Sequence, residues 1–229
     1  MRVVFMGTPD FSVGTLEAIA AAGHEIAGVV TQPDKQKGRG KQVQPTPVKE
    51  AALRLGLPVY QPAKVRDPEF LEVLRELAPD VIVVVAFGQI IPQAILDLPK
   101  YGCVNVHASL LPAYRGAAPI QWAVINGEAE SGVTTMRMDA GLDTGDMLLK
   151  TVVPLDPDET AGSLFDKLSS AGAKLLVETL EKLEQGTIVP EKQPEESTTA
   201  YARMIRKEDG KIDWSRPAAE IERLIRGMD

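Results

Sequence analysis

The run "DVIVVVAFG" (residues 80–88) limits the possible folds more than any other stretch of the chain. An uninterrupted series of apolar, β-branched residues cannot be a strand with one wet face, which would alternate. It reads as a strand covered on both sides. "RVVFMG" (2–7), "EIAGVVT" (25–31), the short "PVY" (58–60) and "CVNVH" (103–107) read as further strands. Between them, "FSVGTLEAIAAAG" (11–23), "PVKEAALRLG" (47–56) and "PEFLEVLRELA" (68–78) have helical spacing, the first two stopped by Gly23 and Gly56. Strands alternating with helices predict a Rossmann-like α/β fold, a mostly parallel sheet flanked by helices. Ligands of such sheets sit beyond the carboxyl ends of the strands. "AFGQI" and "NVHAS" fall there.

The rhythm then changes. "GVTTMRM" (132–138) and "DMLLKTVVPL" (146–155) are strand-like and flank "DAGLDTG" (139–145). A long amphipathic helix is expected over about 160–185, with Leu164, Leu168, Leu175 and Leu183 on one stripe. "GTIVPEKQPEESTTA" (186–200) is polar and proline-punctuated and reads as a linker. A final helix, "AAEIERLIRGM", ends without a capping signal, so its apolar face predicts either docking onto the main domain or further chain after Asp229. The expected division is a catalytic domain over 1–190, then over 191–229 a linker and the start of a second, C-terminal domain. With 229 residues, 44% of them hydrophobic, the chain can bury a substantial core. Its single cysteine, Cys103, rules out an internal disulfide and fits a reducing compartment. No signal-peptide pattern or membrane-length apolar run is present, which predicts a cytoplasmic protein. The formal charge of −7 argues against a generic nucleic-acid coat but leaves a local basic patch open.

Asn105 and His107 are two apart on a strand end, so they share a face. The amide can donate to a developing oxyanion, and the imidazole can carry a proton. Two satisfied polar residues at a strand end would give the same pattern. The glycine-bracketed Asp143, between Gly141 and Gly145, adds a carboxylate that could orient an imidazole and favour its charged form. Asp139 and Asp146 fit equally well as turn residues. Neither His24 nor Cys103 stands at metal-ligand spacing from His107, and no calcium-loop spacing is present, so no metal is expected. "FMGTPDFS" (5–12) keeps Gly7 of a dinucleotide fingerprint but has Pro9 where the backbone should approach a pyrophosphate, which argues against a dehydrogenase. It is either a small-ligand loop or a plain turn. "PDKQKGRGKQ" (33–42) sets Lys35, Lys37, Arg39 and Lys41 along an unusually long loop. Solvated surface and phosphate binding both fit it.

Taken together, "NVHASLLPAYRGAAPIQWAVINGEAESGVTTMRMDAGLDTGDML" resembles the signature region of the folate-dependent formyltransferases. The likeness extends to "FMGTPDFS", the basic loop, "VVVAFGQIIP" and "KEDGKIDW", and so to essentially the whole chain. The basic loop and "RGAAPIQWA" are more specific to the branch acting on charged tRNA. The resemblance implies the formyltransferase fold, 10-formyltetrahydrofolate as donor, no metal, and the α-amine of initiator methionyl-tRNA as acceptor in translation initiation. It implies catalytic roles for Asn105, His107 and Asp143. It implies a folate site lined by Ser109, Leu110, Leu111 and Pro112 and walled by Phe87, Gly88, Gln89 and Ile90. It also implies a tRNA contact through Lys35, Lys37, Arg39 and Lys41, in a monomer whose chain stops where a tRNA-holding domain would begin. The competing readings are a formyltransferase for a sugar-nucleotide amine or glycinamide ribonucleotide, a formyltetrahydrofolate hydrolase domain, and a noncatalytic nucleotide- or RNA-binding module. The basic loop speaks against a small acceptor, and the polar trio against a pure binder.

Overall fold

A computed structural model describes residues 1–37 and 42–229. In chain order the elements are β1 (Arg2–Gly7), α1 (Asp10–Ala21), β2 (Glu25–Val30), β3 (Lys35–Lys37), β4 (Gln42–Gln44), α2 (Pro47–Arg54), β5 (Val59–Tyr60) and α3 (Pro68–Leu77). Then come β6 (Val81–Val85), α4 (Gln93–Leu96), β7 (Cys103–His107), α5 (Pro119–Asn126), β8 (Glu130–Arg137), β9 (Met147–Pro154), α6 (Ala161–Gln185) and α7 (Ala218–Gly227).

The sheet order is β5-β2-β1-β6-β7-β8-β9. The first five strands are parallel, while β8 runs antiparallel to β7 and β9 antiparallel to β8. Alternate residues of each central strand supply two cores. Val3, Phe5, Val83, Val85, Val104 and Val106 pack with α1, α2, α5 and α6 on one face. Val4, Met6, Ile82, Val84 and Cys103 pack with Phe70 and Leu74 of α3 and Ile95 of α4 on the other. All five residues of β6 are buried, as its unbroken apolar run predicts. The crossovers run to opposite sides of β1, toward β2 and toward β6, so a crevice opens beyond the carboxyl ends of β1 and β6. At the first of these ends, a Cβ on Gly7 would stand 2.8 Å from that of Ser12, so only glycine lets α1 approach this closely.

One segment differs from the sequence reading, and another takes one of the two courses the sequence left open. Residues 186–200 look like a free linker because they lack apolar periodicity, yet this stretch lies against the main domain. Glu191 bridges to Met147, Ser197 Oγ donates to the Pro112 carbonyl at 2.6 Å, and the Tyr114 amide donates to Thr199 Oγ1 at 2.7 Å. Polar side chains and backbone hold it there, with Ile188 packed against the core. α7 docks back onto the body of the protein. A Cβ on Gly227 would meet Ile125 of α5 at 2.4 Å, and Arg226 Nη1 donates to the Glu159 carbonyl at 2.6 Å.

Candidate active site

β7 is hydrogen-bonded on both sides, with Asn105 level with Val84 of β6 and Met136 of β8. That double pairing fixes the backbone from which Asn105 and His107 project. Asn105 is half-buried and His107 is 6% exposed. Among the described residues, none exchanges a hydrogen bond with the Asn105 side chain, so its amide donors face the cleft uncommitted. His107 is held differently. Its Nε2 lies 3.0 Å from the Tyr114 carbonyl. A carbonyl only accepts, so Nε2 carries a proton and Nδ1 is the site that gains or loses one.

The loop after β7 is built to present that carbonyl. Thr134 Oγ1 donates to Ser109 O at 2.7 Å and accepts from the Leu111 amide at 3.0 Å. Ser109 Oγ donates to Ala113 O at 2.6 Å. Leu111 is buried against Met136 and Met147, and the Leu111–Pro112 peptide is cis. Tyr114 then takes positive φ (55°), its hydroxyl donating to Glu128 and accepting from Asn126. Burial, reinforced by Glu128, pushes the Tyr114 phenol up to about 12, so it stays neutral.

Asp143 arrives from the other side. β8 and β9 are joined by the glycine-rich loop, which closes tightly enough that a Cβ on Gly145 would lie 1.8 Å from the Arg137 carbonyl. Asp139 acts within the loop, accepting from the Gly141 amide at 3.0 Å and Thr144 Oγ1 at 2.8 Å. Asp143 sits in the left-handed region (φ 57°). Its Oδ2 accepts from the Gly116 amide at 2.9 Å, and its Oδ1 lies 3.7 Å from His107 Nδ1. That separation is beyond a direct hydrogen bond and short enough for strong charge interaction or for a small shift to close it.

Asn105, His107 and Asp143 meet in one cleft of about 480 Å³. Pro9 and Phe11 wall it from the start of α1, so the loop after β1 does line a site. Phe165 of α6 packs edge-on against Phe11, with centroids 5.3 Å apart. Ala86, Phe87, Gly88 and Gln89 form another wall. This segment bends through positive φ at Ala86 and Gly88, and Thr8 Oγ1 and Gln32 Nε2 donate to the Phe87 carbonyl at 2.9 and 3.2 Å. Gln89 Oε1 accepts from the Val65 amide at 2.7 Å.

The other residues expected to hold folate border the cleft without lining it. Ile90 is 79% exposed beside the cleft wall. Ser109, Leu110, Leu111 and Pro112 are not among the residues lining the cleft. The Ser109 hydroxyl and carbonyl and the Leu111 side chain are turned inward and anchor the loop that carries Tyr114. Gly116, Ala117, Pro119, Ile120 and Gln121, at and before the start of α5, line the cleft instead, as does Met138. The signal available for α5 was proline at its first turn. Phe165 gave none, being one more apolar residue on a long helix.

Of the basic loop, Lys35 to Lys37 and Gln42 to Gln44 form a two-stranded hairpin. Arg39 and Lys41 lie outside the described residues. At the hairpin base Asp34 accepts from Lys49 and Gln61, both at 2.6 Å, and the Lys49 bond above all holds its carboxyl below the usual range. Lys35 and Pro9 line one small adjoining pocket, which places the hairpin base next to the main cleft.

These features agree with the comparisons. The chain matches the family "Formyl transferase" over residues 1–180 and "Formyl transferase, C-terminal domain" over residues 204–229. It is 66% identical over 229 residues to a methionyl-tRNA formyltransferase of Agathobacter rectalis, covering 100% of this chain and 74% of that protein. It is 60% identical over 228 residues to a methionyl-tRNA formyltransferase of Citrifermentans bemidjiense, covering 100% of this chain and 71% of that protein. An N-formyltransferase from Helicobacter canadensis, solved with folinic acid and dTDP-3-aminofucose, shares the fold at 23% identity, with a TM-score of 0.72 over 99% of this chain and 80% of that one. With strand order, cleft and sequence in agreement, the chain belongs to the formyl transferase family.

Proposed function

We propose that this chain transfers the formyl group of 10-formyltetrahydrofolate to the α-amine of methionyl-tRNA, the step that prepares the initiator for translation. The observation that carries the reading is the convergence of an uncommitted amide, a buried imidazole with a fixed tautomer and a carboxylate in a single cleft. The names of the full-length relatives support the choice of acceptor.

The cleft suits a flat heteroaromatic donor: its apolar walls include Phe87, Val84 and Met138, and backbone at Gly88 and Ala86 lies open beside them. When bound, the folate supplies a formyl group on a nitrogen that leaves as a weakly basic amine. Asn105 donates to the formyl oxygen as negative charge grows there, which is where a preorganised donor contributes most. His107 accepts a proton from the attacking amine at Nδ1, directly or through water, while Nε2 stays bonded to Tyr114. Asp143 Oδ1 stabilises the imidazolium that results, its Oδ2 being engaged by Gly116. The same proton then passes to the departing nitrogen.

Lys35, Lys37, Arg39 and Lys41 give a salt-dependent contact to tRNA phosphate, which reconciles RNA binding with an acidic chain. No helix among the described residues is long and apolar enough to cross a membrane, and a role in translation places the enzyme in the cytoplasm, acting as a monomer. The deciding experiment offers Met-tRNA, a dTDP-aminosugar and glycinamide ribonucleotide as competing formyl acceptors. Formylation confined to Met-tRNA, weakened by Arg39→Ala with folate binding intact, is expected. Efficient formylation of either small amine would overturn the assignment.

A further inference from the structure

The residue that aims Asp143 lies outside both segments matched by the family. Gln193 is 6% exposed, within the polar stretch that follows α6. Its Nε2 donates to the Asp143 carbonyl at 2.9 Å and the Gly145 carbonyl at 2.7 Å. One amide nitrogen has two N–H donors, so both are engaged, and together they clamp the turn from residue 143 to residue 145. Oε1 accepts from Arg115 Nε at 3.1 Å. Arg115, 7% exposed, also donates to the Pro194 carbonyl at 2.7 Å and the Glu195 carbonyl at 3.0 Å. The clamp is therefore itself held.

The turn needs an external hold. Asp143 occupies the left-handed region, which disfavours a residue with a Cβ. Inside the cleft, the only bond to its carboxylate among the described residues comes from the Gly116 amide. That amide belongs to the segment which Ala202 ties down, accepting from the Ala118 amide at 3.0 Å and donating to the Arg115 carbonyl at 2.8 Å. One polar strap thus fixes both supports of the carboxylate: the main chain of Asp143 through Gln193, and the amide that receives Oδ2 through Ala202.

We propose that Gln193 is a positioning residue for formyl transfer, setting the turn at Asp143 so that Oδ1 stays opposite His107 Nδ1. The inference rests on the reading of Asp143 as part of the proton-handling pair. Gln193 is not among the residues lining the cleft and works through the turn that carries Asp143.

The test is Gln193→Glu in the full chain. Glutamate keeps an acceptor for Arg115 and removes both donors to the loop. Formyl transfer from 10-formyltetrahydrofolate to Met-tRNA is followed across pH, with circular dichroism reporting folding, and a double-mutant cycle is run with Asp143→Asn. The expected result is a fall in kcat of about 10- to 100-fold, as for a catalytic group displaced by a fraction of an ångström. The pH profile of kcat changes shape, and the Q193E/D143N double variant is no slower than D143N. Should Q193E not fold, Q193M, neutral and similar in length, carries the same test. Wild-type turnover in the folded variant overturns the proposal. So does a loss that adds in full to that of D143N with an unchanged pH profile, because that would be a purely structural role. If D143N itself turns over at the wild-type rate, the underlying reading of Asp143 fails first, and the proposal with it.

Discussion

Asn105→Ala separates chemistry from folding more cleanly than any other change in this cleft. The side chain has no hydrogen-bond partner among the described residues, and its backbone is pinned by β6 and β8. Truncation therefore strands no buried donor or acceptor, and the stability change should stay within about 1 kcal/mol. The barrier responds differently. Removing one preorganised oxyanion donor costs roughly 2.7–4 kcal/mol, and each 1.36 kcal/mol is about tenfold in rate, so kcat should fall about 10²- to 10³-fold. KM for Met-tRNA should barely change, because the amide acts on charge that exists only as the bond forms. The assay is the initial rate of formyl transfer from 10-formyltetrahydrofolate to Met-tRNA, paired with thermal denaturation. A folded variant with kcat within about threefold of wild type would refute the oxyanion role. So would a loss confined to KM.

Asp143→Asn can keep an oxygen for the Gly116 amide and then turns an NH2 donor, not a carboxylate oxygen, toward His107; kcat measured with Met-tRNA should drop by about 10²- to 10⁴-fold in a folded protein. Burial, with a smaller contribution from Asp97, pushes the Cys103 thiol up to about 12; iodoacetamide at neutral pH should leave the native protein unmodified by mass spectrometry and label it once unfolded. Glu159, 2% exposed at the start of α6, accepts from Lys167 at 2.5 Å, from Ser163 and from the Asp156 amide. Burial raises its carboxyl, and those bonds outweigh burial and hold it below its ordinary 4.5. Glu159→Gln should lower stability, by less than loss of a fully buried pair because Lys167 is 37% exposed. A depressed carboxyl contributes fully above its unfolded value and loses that contribution as pH falls through its folded one. The gap in urea midpoint between wild type and variant should therefore close only on acidification below the ordinary carboxylate range.

Much of this architecture was legible because burial leaves a period. The two-faced β6 run, the stripe on α6 and the shared face of Asn105 and His107 all follow from apolar spacing on a helix or a strand. Asp143 was visible as an acid bracketed by glycines. Other features have no such mark. The hairpin of β3 and β4 carries a single apolar residue, Val43, in its two strands. Short α5 is apolar nearly all round. The strap bearing Gln193 is held by hydrogen bonds to backbone, which no hydropathy pattern records. "SLLP" was assigned to the folate site by resemblance, and no periodicity shows that Thr134 and Met136 also draw Ser109 and Leu111 inward. That packing presents the Tyr114 carbonyl to His107. A motif can therefore sit beside the chemistry and serve it from behind.

The most direct test is a crystal structure of this chain with a stable formyl-bearing folate. The account predicts the pterin against Phe87 to Gln89, with the formyl oxygen within hydrogen-bond distance of the Asn105 amide and the formyl carbon between His107 and Asp143. A folate bound outside this cleft, or one whose formyl group points away from all three side chains, would contradict it.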